Sequence, residues 1–115
     1  MSQQFIDDQT FTGLDFTKTV LQKGIYENCQ FQDCQFSTVK LTGMQFIDCQ
    51  FNHCDFSNAT LTETGFQNIL FDNCKLIGLR FDSCQLFLFS VTFTNCRLDF
   101  SSFYQVDLTK SSFEA

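Results

Sequence analysis

The sequence predicts an all-β protein: a parallel β-helix, or solenoid, of square cross-section with about five to six 20-residue coils. Three observations predict it. Large apolar residues recur at every fifth position through most of the chain. All seven cysteines fall at one fixed place in that period. A second, 20-residue period is superposed on the first.

From Ile6 to Leu86 every fifth residue is large and apolar, 17 in succession, among them Phe31, Phe36, Phe51, Phe56 and Phe71. The phase then slips by two, and the steps resume at Phe93, Leu98, Phe103, Leu108 and Phe113. These residues are the centres of successive pentads, and 13 of the 17 phenylalanines are centres. A period of five matches neither a helix nor a strand. On an α-helix each step would advance about 500°, so the apolar residues would spiral over every face. On one strand they would alternate faces. A chain that turns a corner once per pentad keeps every centre inward.

The 20-residue period groups pentads in fours. "FQDCQFSTVKLTGMQF" (31–46) and "FNHCDFSNATLTETGF" (51–66) agree at seven of 16 positions. Leu21, Leu41 and Leu61 recur at the same interval, as do Cys34, Cys54 and Cys74. Four pentads per coil give four walls, and successive coils stack about 4.8 Å apart through parallel ladders. Residues 1–115 are expected to form one solenoid. Its repeats run from about 4 to 88 and from 91 to 115, with the slip near 87–90.

Each cysteine lies two residues before a centre. Elsewhere that slot holds Leu, Val, Met, Ala or Ile, or small Gly, Thr and Ser. Free cysteine packs as a small hydrophobe, so the cysteines are expected to be core filler. The C-x4-C spacing places them on different walls with phenylalanines between, which does not converge four ligands on a zinc ion. Stacked pairs such as Cys34 and Cys54 would have Cα atoms about 4.8 Å apart, within reach of a disulfide. Exchange with Val and Ala at the slot, and an odd count of seven, point to free thiols instead.

No catalytic set is visible. His53 is the only histidine, it falls two residues after centre Phe51, and no phosphate-binding glycine loop is present. The expectation is no enzyme activity, no cofactor and no metal. The net charge of −6 and the pI of about 4.4 argue against direct binding of nucleic acid or an anionic membrane. No apolar run is long enough for a transmembrane helix. The polar, acidic start "MSQQFIDDQTF" lacks the features of a signal peptide, so a cytoplasmic location is expected.

The pentads "CQFQD", "CDFSN", "CKLIG" and "CRLDF" resemble the motif of the pentapeptide-repeat proteins: a small apolar residue, a polar one, Leu or Phe, then two variable positions. The resemblance covers nearly the whole chain. It implies a right-handed quadrilateral β-helix with the centre and the residue two before it both inward. Residues 73–104 look like a segment of longer members, including ones similar to the microcin-immunity type. Some members protect DNA gyrase from quinolones or microcins by imitating duplex DNA. The resemblance thus implies a bacterial protein-binding module with a topoisomerase as partner. The alternative is a structural or scaffold repeat protein with a different partner.

Three surface features are candidates for that role. The wall holding Ile6, Tyr26, Phe46, Phe66, Leu86 and Leu108 bears Asp7, Asp8, Glu27, Asp48 and Asp107 against Lys110, a net −4. The next wall bears Asp33, Asp72 and Glu114 with no cation, a net −3; the third is neutral and the fourth +1. These two walls form an acidic strip suited to a basic partner. The second feature is the slip, "LFLFSVTF" (86–93), where Phe87, Leu88 and Phe89 cannot all point inward; Phe87 and Phe89 are candidates to project outward as a recognition bulge. The third is the end at "KSSFEA", where an open ladder edge is expected to pair two copies as a homodimer; the alternative, implied by the resemblance to longer members, is that further coils cover that edge.

Overall fold

Every turn of the chain sets four centres around one axis, and the next turn sets four more directly upon them. In the computed structural model, which describes residues 4–114, this builds a parallel β-solenoid without α-helix. Residues 1–3 and 115 of the expected solenoid lie outside the described residues.

The first wall is a parallel sheet of β1 (Gln4–Asp7), β3 (Gly24–Glu27), β5 (Gln45–Ile47) and β7 (Gly65–Gln67). The second is a six-stranded parallel sheet of β2 (Thr10–Thr12), β4 (Gln30–Gln32), β6 (Gln50–Asn52), β8 (Ile69–Asp72), β9 (Val91–Thr94) and β10 (Ser112–Glu114). Register runs centre on centre: Phe11 on Phe31, Phe31 on Phe51, Phe51 on Phe71 and Phe71 on Phe93. The third and fourth walls are held by single bridges, such as Gln35 to Asp55 and Lys40 to Thr60. The ladder continues across them: the amide of Phe36 donates to the Asp55 carbonyl at 2.7 Å, and that of Asp55 to the Cys34 carbonyl at 3.2 Å.

The core is a set of ring columns. On the second wall the centroids of Phe11, Phe31, Phe51, Phe71, Phe93 and Phe113 follow at 4.7, 4.9, 5.1, 5.7 and 5.0 Å, each pair nearly parallel. Between columns the rings meet edge to face, as in Phe56–Phe71 at 5.4 Å and 90°. Both arrangements suit the aromatic quadrupole. Phe31, Phe36, Phe51, Phe56 and Phe71 are buried, together with Cys34, Cys54 and Cys74. Centres near either end of the described chain are less covered, because a neighbouring coil packs on one side only; Ile6 and Phe11 are half-buried and Phe113 is exposed.

The cysteine slot has chemistry beyond its size. The thiols of Cys54, Cys74 and Cys96 donate to the carbonyls of Phe31, Phe51 and Phe71 in the preceding coil, at 3.4, 3.1 and 3.2 Å. Thr64 Oγ1 donates likewise to the Leu41 carbonyl at 2.7 Å, and Ser101 Oγ to that of Leu76 at 2.5 Å. A buried donor at this slot is therefore satisfied, which explains why Cys, Ser and Thr share it with alanine and valine. All seven cysteines are free; six are buried and Cys96 is half-buried. Burial pushes the thiols of Cys49 and Cys84 up to about 12.

The corners follow one rule. Among the described residues, 14 non-glycine residues have positive φ, and each lies two residues after a centre. Nine of them are Asn, Asp or His, the residues that best tolerate the left-handed region. Gly43 and Gly78 fill the same position at φ 76° and 70°. At many corners of the third and fourth walls the amide one residue further on donates back to the centre's carbonyl, as Ala59 does to Phe56 at 2.9 Å. This is the pattern of a type II turn.

Candidate interaction surface

The strands of the first two walls point alternate side chains outward, and their corners carry the remaining carboxylates. Asp7, Asp8, Glu27, Asp33, Asp48 and Asp107 are exposed, and Asp72 is partly so. Asp7 and Glu27 stand directly in register on β1 and β3, an arrangement of like charges that costs stability in a sheet. At the corner between these walls Asp8, Asn28, Asp48 and Asn68 form a column. Asn28 Nδ2 donates to Asp8 at 2.6 Å and Asn68 Nδ2 to Asp48 at 2.8 Å. At the next corner Asp33 and His53 share the left-handed conformation with Asn73, and Asn73 Nδ2 donates to Asp72 at 2.9 Å. Neutral amides thus fix several carboxylates in place without cancelling their charge.

The cations are elsewhere. Among the described residues the two ion pairs are Arg80–Asp82 at 2.8 Å and Arg97–Asp99 at 3.2 Å, on the fourth and third walls. Each Arg holds its partner carboxylate below the usual range through hydrogen bonding, supported by charge attraction. Asp107 is also lowered, by the Thr109 amide that caps it at 3.0 Å. The structure brings Asp7, Asp8, Glu27, Asp48, Asp33 and Asp72 onto two adjoining walls. Asp107 stands apart from these, beside the slip: it lines a shallow depression with Leu86, Leu88 and Lys110.

At the slip the expected inward and outward residues are partly exchanged. Leu86, a centre by period, is 43% exposed, whereas Phe89, expected as a surface candidate, is 5% exposed and packs edge-on against Phe81 at 6.3 Å. The cause is a tight turn over residues 86–89, closed by the Phe89 amide donating to the Leu86 carbonyl at 3.2 Å. Its two central residues, Phe87 and Leu88, project outward, with Leu88 at φ 61°. Phe87 is 80% exposed and Leu88 49%. Phe89, Val91 and Phe93 then alternate inward, so two extra residues enter the coil without breaking the second sheet. Phe89 is therefore core, and the outward bulge consists of Phe87 and Leu88, flanked by Leu86.

No group of three or more His, Cys, Asp or Glu side chains able to hold a metal ion occurs among the described residues. No helix among them is long and apolar enough to cross a membrane. Sequence reasoning missed the corner rule and the donor role of the slot. Both had a signal: Asn, Asp, Gly and His recur two residues after the centres, and Ser and Thr share the slot with Cys.

Residues 44–115 match the sequence family described as "Pentapeptide repeat region". Among solved structures, a trypsin-treated variant of QnrB1, described as a plasmid-mediated fluoroquinolone resistance protein, superposes with a TM-score of 0.61. Its identity is 22%, over 88% of this chain and 51% of that one. Full-length QnrB1 gives a TM-score of 0.60 and 22% identity, over 87% of this chain and 49% of its own. The chain thus spans about half the length of the structures it matches. Curated proteins give no match. The stacked centres, the inward slot and the sequence match together make this chain a member of the pentapeptide-repeat family.

Proposed function

We propose that this chain is a non-catalytic, cytoplasmic protein-binding module that offers its two acidic walls to a basic, DNA-binding surface of a topoisomerase such as gyrase. The observation that carries this reading is the segregation of charge. The first two walls hold a net −7, and the ion pairs among the described residues lie on the other two. Uncompensated charge of one sign on a rigid surface steers a partner of opposite sign. The description of QnrB1 as a fluoroquinolone resistance protein supports the choice of a fluoroquinolone target as partner. Phe87 and Leu88 supply an apolar contact beside the strip.

The test is gyrase supercoiling with and without a fluoroquinolone, at increasing concentrations of this protein. Relief of drug inhibition, weakened in an Asp33→Asn, Asp48→Asn, Asp72→Asn variant of unchanged fold, is expected. No effect on either reaction overturns the gyrase reading. The exposed turn at Phe87 and Leu88 favours a second reading, a scaffold that binds another protein through that apolar patch. In that case Phe87→Ser abolishes partner binding and the aspartate substitutions leave it unchanged. The outer edge of β10, where Phe113 is half-exposed, is the place for a homodimer contact. Light scattering that saturates at twice the monomer mass supports it, and a constant monomer mass rejects it.

A further inference from the structure

Most carboxylates of the acidic strip stand on open wall or corner, but Asp48 borders a recess. The recess, of about 340 Å³, lies at the corner between the first and second walls and is lined by Asp48, Gln50, Asn68, Leu70 and Thr92. Buried Cys49 and Ile69 lie between these residues and complete its lining. Its place follows from the slip. Down the corner column, the Asp48 amide still donates to the Gln67 carbonyl of the next coil at 2.9 Å. One coil further on the chain leaves the ladder for the turn over residues 86–89 and rejoins it at Ser90, whose carbonyl accepts from the Ile69 amide at 3.0 Å.

We propose that this recess is the seat for one arginine side chain of the basic partner surface. The proposal rests on the reading of the acidic walls as a docking surface. A guanidinium carries five donors, no acceptor and a fixed charge, and it is weakly hydrated for a cation. The recess offers the complement. The Asp48 carboxylate is held by Asn68 Nδ2 at 2.8 Å, which leaves it further lone pairs for a charge-assisted bond. Because Asn68 gives its amino group to Asp48, its carbonyl oxygen remains an acceptor, and Gln50 supplies another. Thr92 Oγ1 already accepts from Ser112 Oγ at 3.2 Å and closes the far side. Half-buried Leu70 gives an apolar surface on which the arginine stem and flat face can lie. No Lys or Arg is among the lining residues. A lysine ammonium, compact and strongly hydrated with three donors, gains from the carboxylate but little from the separated amide acceptors.

The experiment titrates isotope-labelled protein with N-acetyl-arginine amide and, separately, N-acetyl-lysine amide, following side-chain amide and methyl resonances. Saturable shifts at Gln50, Asn68 and Leu70 are expected, with arginine favoured over lysine by about threefold or more. Asp48→Asn should weaken arginine by about fivefold; asparagine suits that corner, since Asn28 and Asn68 adopt the same left-handed conformation. Leu70→Thr, which keeps every charge, should weaken arginine by about threefold and leave lysine unchanged. Threonine suits the position, because Thr92 pairs with Leu70 in the adjacent strand. Equal responses to the two cations, shifts as large at Asp7 and Glu27, or an arginine response indifferent to Asp48→Asn overturn the proposal. Gyrase binding then separates this inference from the choice of partner. Asp48→Asn should cost about fivefold in affinity and Asp33→Asn no more than about twofold. Gyrase binding in which the two substitutions cost the same removes the recess and leaves the acidic-wall reading standing. Arginine seated in the recess of a protein that does not bind gyrase supports the recess and removes gyrase as the partner.

Discussion

Replacing Phe51 by alanine removes a mid-solenoid ring that meets five aromatic neighbours. Phe51 stacks on Phe31 at 4.9 Å and on Phe71 at 5.1 Å. It meets Phe36, Phe46 and Phe56 edge to face at 5.9, 5.4 and 5.1 Å. Its side chain is fully buried. A buried Phe→Ala substitution costs about 3–5 kcal/mol, including the cavity it leaves. Favourable ring pairs add about 0.5–1.5 kcal/mol each, and coils on both sides limit collapse of the cavity, so the upper half of that range is expected. A chain of 115 residues has an unfolding entropy that turns such a loss into a fall in melting temperature of about 16–20 °C. Asn52, the next residue, points outward from the same strand and is half-exposed; Asn52→Ala should stay within about 0.5 kcal/mol. Urea melts of the two variants beside the wild type make the comparison. The break falls mid-solenoid, where coils couple to their nearest neighbours, so the Phe51→Ala transition should also broaden. Equal midpoints for the two variants would falsify the inward assignment of the centres.

Three further outcomes are expected. Phe89→Ser should destabilise strongly, by about 2–4 kcal/mol, whereas Phe87→Ser should be nearly neutral in a denaturant melt; the reverse order would mean that the turn at 86–89 is wrongly placed. Gly24→Ala should loosen the first coil, because a Cβ there would lie 2.5 Å from the backbone carbonyl oxygen of Gln4. Hydrogen exchange should then show faster exchange at Asp8, whose amide donates to Glu27 at 3.1 Å; unchanged protection refutes the close approach. Stability should fall on the alkaline side. Burial raises Tyr26 from 10.0 to about 12, and Cys49 and Cys84 from 9.0 to about 12. A raised folded-state pKa means that the contribution is complete below pH 9 and is lost as pH rises toward 12. A flat melting temperature from pH 8 to 11.5 would contradict this.

The five-residue period made the ring columns legible, because it admits one fold in which every centre is inward. Cys34, Cys54 and Cys74 were legible as core from their fixed offset. The exchange of Leu86 and Phe89 was not, since both are large and apolar and hydrophobicity does not choose between them. The choice rests on turn geometry: a tight turn closing on Leu86 sends its central residues, Phe87 and Leu88, outward and carries Phe89 in. The corner conformation was written in the sequence as Asn28, Asp33, Asp48, His53, Asn58 and Asn68, yet a reading built on apolar period passes over it. Charge counting by wall found the acidic strip. It did not find the amides of Asn28 and Asn68 that hold Asp8 and Asp48, because those bonds join residues 20 apart.

The most direct test of the central claim is equilibrium binding to DNA gyrase over a salt series, with duplex DNA as competitor. An acidic-wall contact predicts affinity that falls as salt rises and binding that duplex DNA displaces. It also predicts a loss of about tenfold in the Asp33→Asn, Asp48→Asn, Asp72→Asn variant. Binding that ignores salt, DNA and the three substitutions, or no binding at all, would contradict it.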